Sequence, residues 1–198
     1  MTTTDQVLAR ASAAAGKAIL YWIGQGGRDP DAPLPSNPVH VAREWDGLDR
    51  AHQQALAPLA QAMGIDVRDP ALVREACDCS GFVCWALGFA RVLPGPGGDA
   101  WINTDSIWTD AQGPQRRFRR IDRALPGALV VYPKLGSGED YGHVAIVVEA
   151  DAEGRATRIV HCSADNIKAA PHDSIKITSP AKFDAQRRSI YAWCHDVE

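Results

Sequence analysis

The stretch that most constrains this chain is Asp78-Cys79-Ser80-Gly81-Phe82-Val83, continuing as Cys84-Trp85-Ala86-Leu87-Gly88-Phe89-Ala90. Asp78 and Ser80 are good N-cap or first-turn residues, and an apolar run comes after them. Phe82, Val83, Ala86, Leu87 and Ala90 recur at three- and four-residue spacing, which predicts a helix with one buried face. A cysteine is thereby set at a helix start, among unpaired N–H groups and the positive end of the dipole. There the thiolate is favoured over its ordinary pKa of about 8.5. An inert, buried cap-region thiol is the alternative.

Two runs further along the chain favour chemistry. Gly142-His143-Val144-Ala145-Ile146-Val147-Val148 and Arg158-Ile159-Val160-His161-Cys162 each carry a histidine in a β-branched, strand-like run. Cysteine, then histidine, then a polar orienting residue is the nucleophile–base–orienter order of cysteine hydrolases. Between the two runs, Asp151-Ala152-Glu153-Gly154 reads as a hairpin turn. A loop at 151–153, with Gly154 in the left-handed position, pairs Ala150 with Gly154 and sets His143 directly opposite His161. A one-residue slip brings Cys162 there instead and turns His161 to the other face. Asp165 and Asn166 are rival orienters; His40, His52, His172 and His195 fall outside any such arrangement and read as surface residues.

Asp78-Cys79-Ser80-Gly81-Phe82, then Gly142-His143-Val144-Ala145-Ile146-Val147, then His161, resembles the NlpC-type papain-like cysteine peptidases of bacterial cell-wall turnover. The likeness runs from about Cys77 to Cys194. It implies Cys79 as nucleophile, His143 as general base and His161 as its orienter. It also implies substrate contacts from Asp78, Ser80 and Tyr21, although Asp78 is equally a helix cap and Tyr21 equally an anchor for the first helix. The activity implied is hydrolysis of amide bonds in peptidoglycan stem peptides through a thioester acyl-enzyme. An amidase cutting the sugar–peptide bond, an acyltransferase and a non-catalytic binding module on the same fold are the alternatives. Cys79 supplies one oxyanion donor from its backbone N–H, and a second is not identifiable, because Val73 stands where papain-like enzymes carry a glutamine. About forty residues separate Tyr21 and its Gly-rich turn from the cysteine, more than the family usually carries.

The expected fold is α+β and papain-like: N-terminal helices, with the nucleophile at a helix N-terminus packed on an antiparallel sheet. A single domain over 1–198 is expected, with a helical insert at about 39–76. Residues 4–20 predict a helix capped by Thr4 or Asp5. The insert predicts one helix from Asp49 to Met63 and a second starting near Pro70. Pro94-Gly95-Pro96-Gly97-Gly98 is a loop, and Asn103–Ala111 a short capped helix. Strands are expected within 126–133, 174–178 and 188–194. Trp22, Trp85, Trp101 and Trp108 are core or groove residues. Arg116-Arg117-Phe118-Arg119-Arg120 is a solvated face or a docking site for substrate carboxylates.

A net charge of −3 argues against nucleic acid or an anionic membrane as the main partner. The five cysteines, an odd number in a chain without a signal-like start, read as reduced thiols. The spacing of Cys77, Cys79 and Cys84 matches no common zinc pattern, and no metal or organic cofactor is implied. The longest apolar run, Ala18–Ile23, is too short to span a bilayer. The expectation is therefore a chain made in the cytoplasm without a signal peptide. Action on the cell wall then requires lysis, a secretion machine or a partner.

Overall fold

The computed structural model describes residues 2–94 and 99–198. The expected loop at 94–98 lies, but for Pro94, outside the described residues.

The first helix, α1 (Thr4–Ala13), is capped by Thr3. Thr3 Oγ1 accepts the Gln6 N–H while the Gln6 side chain returns to the Thr3 N–H. It stops short of the expected residue 20. Gly16 and Ala18 take positive φ, at 80° and 55°, and the backbone turns out of the helix. Leu20 and Tyr21 then form β1, which runs parallel to a later strand, β3 (Val73–Cys77), with Leu20 beside Ala76 and Tyr21 beside Cys77.

The insert holds β2 (Asn37–His40), α2 (Val41–Asp46), α3 (Arg50–Ala62) and β3 (Val73–Cys77). The Asp49–Met63 expectation is met closely: Asp49 caps α3 by accepting the His52 N–H at 2.9 Å, and Met63 closes it. The helix expected near Pro70 does not form. Asp66 and Asp69 take the N–H groups of Arg68 and Ala71, each at 2.9 Å, in side-chain turns that compete with helix. The chain then enters β3, the centre of a sheet ordered β1-β3-β2.

The helix α4 (Cys79–Leu87) has Asp78 as its cap, and Gly88 at φ 83° as its left-handed stop. All nine of its residues are buried, where one buried face was expected. The physical reason is enclosure: α1 packs on one side, and strands β8 (His143–Ala150) and β9 (Ala156–Cys162) on the other. Between them come β4 (Val92–Leu93), β5 (Ala100–Trp101), α5 (Thr104–Gln112, capped by Asn103 as expected), β6 (Phe118–Ile121) and β7 (Leu129–Tyr132). After β9 come α6 (Ala164–Ile167), β10 (Ile175–Thr178), α7 (Ala181–Asp184) and β11 (Ile190–Cys194). The main sheet is antiparallel in the order β10-β9-β8-β7-β11-β6. A fully buried helix that begins with a cysteine and packs on such a sheet gives the α+β class.

The turn between β8 and β9 corrects the expected register. Asp151 and Arg155 close it, Gly154 takes φ 80°, and Ala150 pairs with Ala156 rather than with Gly154. Ile146 accordingly pairs with Val160. The shift is two residues, so outside the irregularity at Glu149 and Arg158 it preserves the face of each side chain. His143 and His161 become diagonal neighbours on one face instead of direct opposites.

Arg116–Arg120 sits at the far edge of the sheet from β9. The Asp110 carboxylate takes the N–H groups of Arg116, Arg117 and Phe118 at 2.8–2.9 Å. Phe118 is buried, and Arg117 pairs with Asp196 at 2.5 Å. This run leads into β6, three strands from β8, so the docking alternative has no support here. All five cysteines are free and buried.

Candidate active site

Cys79 is held in place by the residue before it. Asp78 is 4% exposed, and its carboxylate has four partners within the chain. Oδ1 accepts from the Gly81 N–H at 2.8 Å and the Ser80 hydroxyl at 3.1 Å. Oδ2 accepts from the Gly24 N–H at 2.7 Å and pairs with Arg91 Nη2 at 2.8 Å. Arg91 also donates to the carbonyls of Gln25 and Ile102 and to Ser80 Oγ. Asp78 and Ser80, expected among the substrate contacts, are tied into the scaffold at the cysteine and also line the cavity that Cys79 lines. The Gly-rich turn after Tyr21 lies directly on the first turn of α4. A Cβ at Gly27 would sit 2.4 Å from the Gly81 carbonyl oxygen, and one at Gly81 would sit 2.6 Å from that of Gln25. Only glycines allow that approach.

His143 opens β8. Its Nε2 meets His161 Nδ1 at 2.7 Å. Its ring stacks on Phe183 of α7, with centroids 5.3 Å apart and planes 20° from parallel. Stacking and the hydrogen bond together fix the ring's orientation. The rival orienters are occupied elsewhere: Asn166 Nδ2 donates to the His161 and Ser174 carbonyls, and Asp165 pairs with Lys168 and Lys182.

Cys79 and His143 line two cavities that share part of their walls. A cavity of about 210 Å³ is lined by Cys79, Asp78, Arg91, Trp101 and Lys134; one of about 610 Å³ by His143, Trp22, Leu56, Asp165 and Lys182. Tyr21, Ile23, Tyr141 and Gly142 line both. Among the described residues no hydrogen bond runs from the Cys79 sulfur to the His143 ring; such bonds are often long before a substrate is bound.

The electrostatics differ from the expected thiolate. Burial pushes the Cys79 thiol well above its ordinary value, with the Asp78 and Cys162 charges adding to it; the Val144 N–H and Arg91 oppose this without prevailing. Burial likewise holds His143 well below 6.5, reinforced by His161 and Lys182. His161 is lowered to about 4, again chiefly by burial. Desolvation outweighs the helix dipole, and the resting pair is thiol and neutral imidazole.

Several residues around the histidines and the cavities were not singled out in the sequence as part of the site. Phe183 and Thr178 reach the histidines only through the return of β10 and α7. His52, read as a surface residue, crosses from α3 to the loop before β8: its Nε2 meets the Tyr141 hydroxyl at 2.7 Å, and its Nδ1 meets Asp49 at 2.8 Å. Trp22 and Trp101 are groove residues, whereas Trp85 is core, at 4% exposure.

Residues 73–163 match the family model of the CHAP domain. CHAP domains are papain-like cysteine amidase domains found in cell-wall hydrolases. The matched segment takes in Cys79, His143 and His161 and leaves out Tyr21, His52, Thr178 and Phe183. No curated protein matches the chain.

Proposed function

We propose, taking residues 73–163 as a CHAP domain of the kind found in cell-wall hydrolases, that this chain is a cysteine hydrolase cutting amide bonds of peptidoglycan stem peptides. One observation supports the reading: a cysteine at the first position of a buried helix and a histidine that a second histidine meets at 2.7 Å line two cavities with Tyr21, Ile23, Tyr141 and Gly142 in common.

Because thiol and imidazole are both neutral at rest, attack and proton transfer are coupled. Cys79 Sγ adds to the substrate carbonyl carbon as its proton passes to His143. The oxyanion is met by the Cys79 N–H at the helix start, and Tyr21, which lines both cavities, stands beside it. His143, now imidazolium, protonates the departing amine as the C–N bond breaks, leaving a thioester. Water deprotonated by His143 then releases the acyl group and restores the thiol. His161 receives the His143 Nε2–H and keeps the ring in place. Asp78 serves as helix cap and ion-pair partner. The insert helix α3 supplies one wall of the larger cavity through Leu56 and His52.

Incubating the protein with purified muropeptides and weighing the products tests the reading. Loss of stem-peptide fragments supports an endopeptidase, whereas release of the whole peptide from the sugar shows an amidase on the same machinery. Products that persist undiminished with Cys79→Ala refute the cysteine mechanism.

A further inference from the structure

His161 has a partner at each ring nitrogen. Nδ1 meets His143 Nε2 at 2.7 Å, and Nε2 meets Thr178 Oγ1 at 3.0 Å. A neutral imidazole carries a single N–H, so one nitrogen donates and the other accepts. Thr178 bears on which. Its hydroxyl oxygen lies 3.1 Å from the Ser179 carbonyl, an acceptor for its single hydrogen. With the hydrogen on that carbonyl, the oxygen accepts from a His161 Nε2–H, His161 Nδ1 accepts from a His143 Nε2–H, and the other nitrogen of His143 bears no hydrogen.

We propose that Thr178 is a positioning residue: anchored on the Ser179 carbonyl, its hydroxyl fixes the tautomers of both histidines and leaves His143 with a basic Nδ1. The strand register explains why this position can do so. In the β9–β10 pair Lys176 lies opposite His161, and Thr178, two residues on, shares its face. Lys176 turns away, donating to the Ala169 carbonyl at 2.6 Å, so the hydroxyl alone of these two reaches the ring. A threonine suits the place because its second branch limits χ1 and holds the oxygen in one direction. Burial lowers both histidines and so favours their neutral forms, in which the tautomer is what remains to be set.

The inference rests on His143 acting as general base, and the test separates the two. Nitrogen-15 spectra of the full-length protein at neutral pH report the protonated nitrogen of each ring without any turnover. Both His143 and His161 are expected as Nε2–H tautomers. In Thr178→Val the His161 ring loses its acceptor and shows mixed tautomers. Turnover of muropeptides then falls about ten-fold in kcat with KM unchanged, because a histidine in the wrong tautomer is a poor base. Thr178→Ser restores both the spectrum and the rate. A wild-type His161 protonated on Nδ1, or a folded Thr178→Val with unchanged tautomers and unchanged kcat, overturns the proposal. Should Thr178→Val fail to fold, the wild-type spectrum alone still decides. Hydrolysis that survives Cys79→Ala refutes the cysteine mechanism and leaves the proton positions to be judged by the spectra.

Discussion

Asp78 and Arg91 form an ion pair at 2.8 Å directly beneath the candidate nucleophile, with the two side chains 5% and 3% exposed. Both are buried, so removing either partner strands a charge without a counter-ion. Arg91→Met or Asp78→Asn is expected to lower the unfolding free energy by about 3–5 kcal/mol. Urea denaturation checks this. The double variant should recover part of the loss, because it leaves no unpaired ion.

The diagonal placement of His143 and His161 separates a catalytic pair from two independent histidines. His161→Ala is expected to reduce kcat by about a hundred-fold with little change in KM, since it removes the group that orients the base rather than a substrate contact. His143→Ala should cost more, and combining the two should add little to the His143→Ala loss. Additive losses in a double-mutant cycle would argue against one shared unit.

Burial of the histidines sets the acid stability. His161 falls from an ordinary 6.5 to about 4, and His143 is lowered in the same direction. The unfolded chain therefore binds these protons first. Their stabilisation is complete above about pH 6.5 and is lost as the pH drops toward 4. For His161 alone the loss is about 3 kcal/mol. Thermal unfolding between pH 7 and 4 should show this decline, and His161→Asn should flatten it.

The raised Cys79 thiol makes a further distinction. A preformed thiolate–imidazolium pair is alkylated rapidly at mildly acidic pH. Here, in the absence of substrate, iodoacetamide labelling of Cys79 should be slow at pH 6 and climb through the alkaline range. Peptide mapping after timed labelling measures it; a plateau below pH 7 would mean that the thiolate is already formed.

The His52–Tyr141 bond spans the cleft between α3 and the loop before His143, and it is solvent-exposed. Tyr141→Phe should leave the unfolding free energy nearly unchanged, within about 0.5 kcal/mol. It should raise KM several-fold while sparing kcat, because it loosens a wall and not the reacting groups. Steady-state kinetics on muropeptides resolve the two parameters.

Local chemistry made some of this architecture readable in advance. Asp78-Cys79-Ser80-Gly81 carries its own cap, α3 begins at a capping Asp49, and the β-branched runs around His143 and His161 behave as strands. Face parity at His143 and His161 survived an incorrect turn length, because a two-residue shift leaves side chains on their side. What could not be read was set by distance along the chain. The burial of all of α4 depends on α1 and the sheet closing from both sides. That enclosure reverses the electrostatic expectation for Cys79. Thr178 and Phe183 reach the histidines only after β10 and α7 fold back, and nothing in their own neighbourhoods marks them. The helix expected near Pro70 gave way to aspartate-capped turns and a strand whose partners lie thirty or more residues upstream.

The proposed reaction turns on one bond, formed between the sulfur of Cys79 and the acyl half of a peptidoglycan peptide. Intact-protein mass spectrometry of rapidly acid-quenched reactions with muropeptides measures this directly. The predicted result is a transient species heavier by the mass of the acyl fragment, mapped by digestion to the peptide containing Cys79 and absent from Cys79→Ala. Turnover that proceeds with no adduct on Cys79, at wild-type rate in Cys79→Ala, would contradict it.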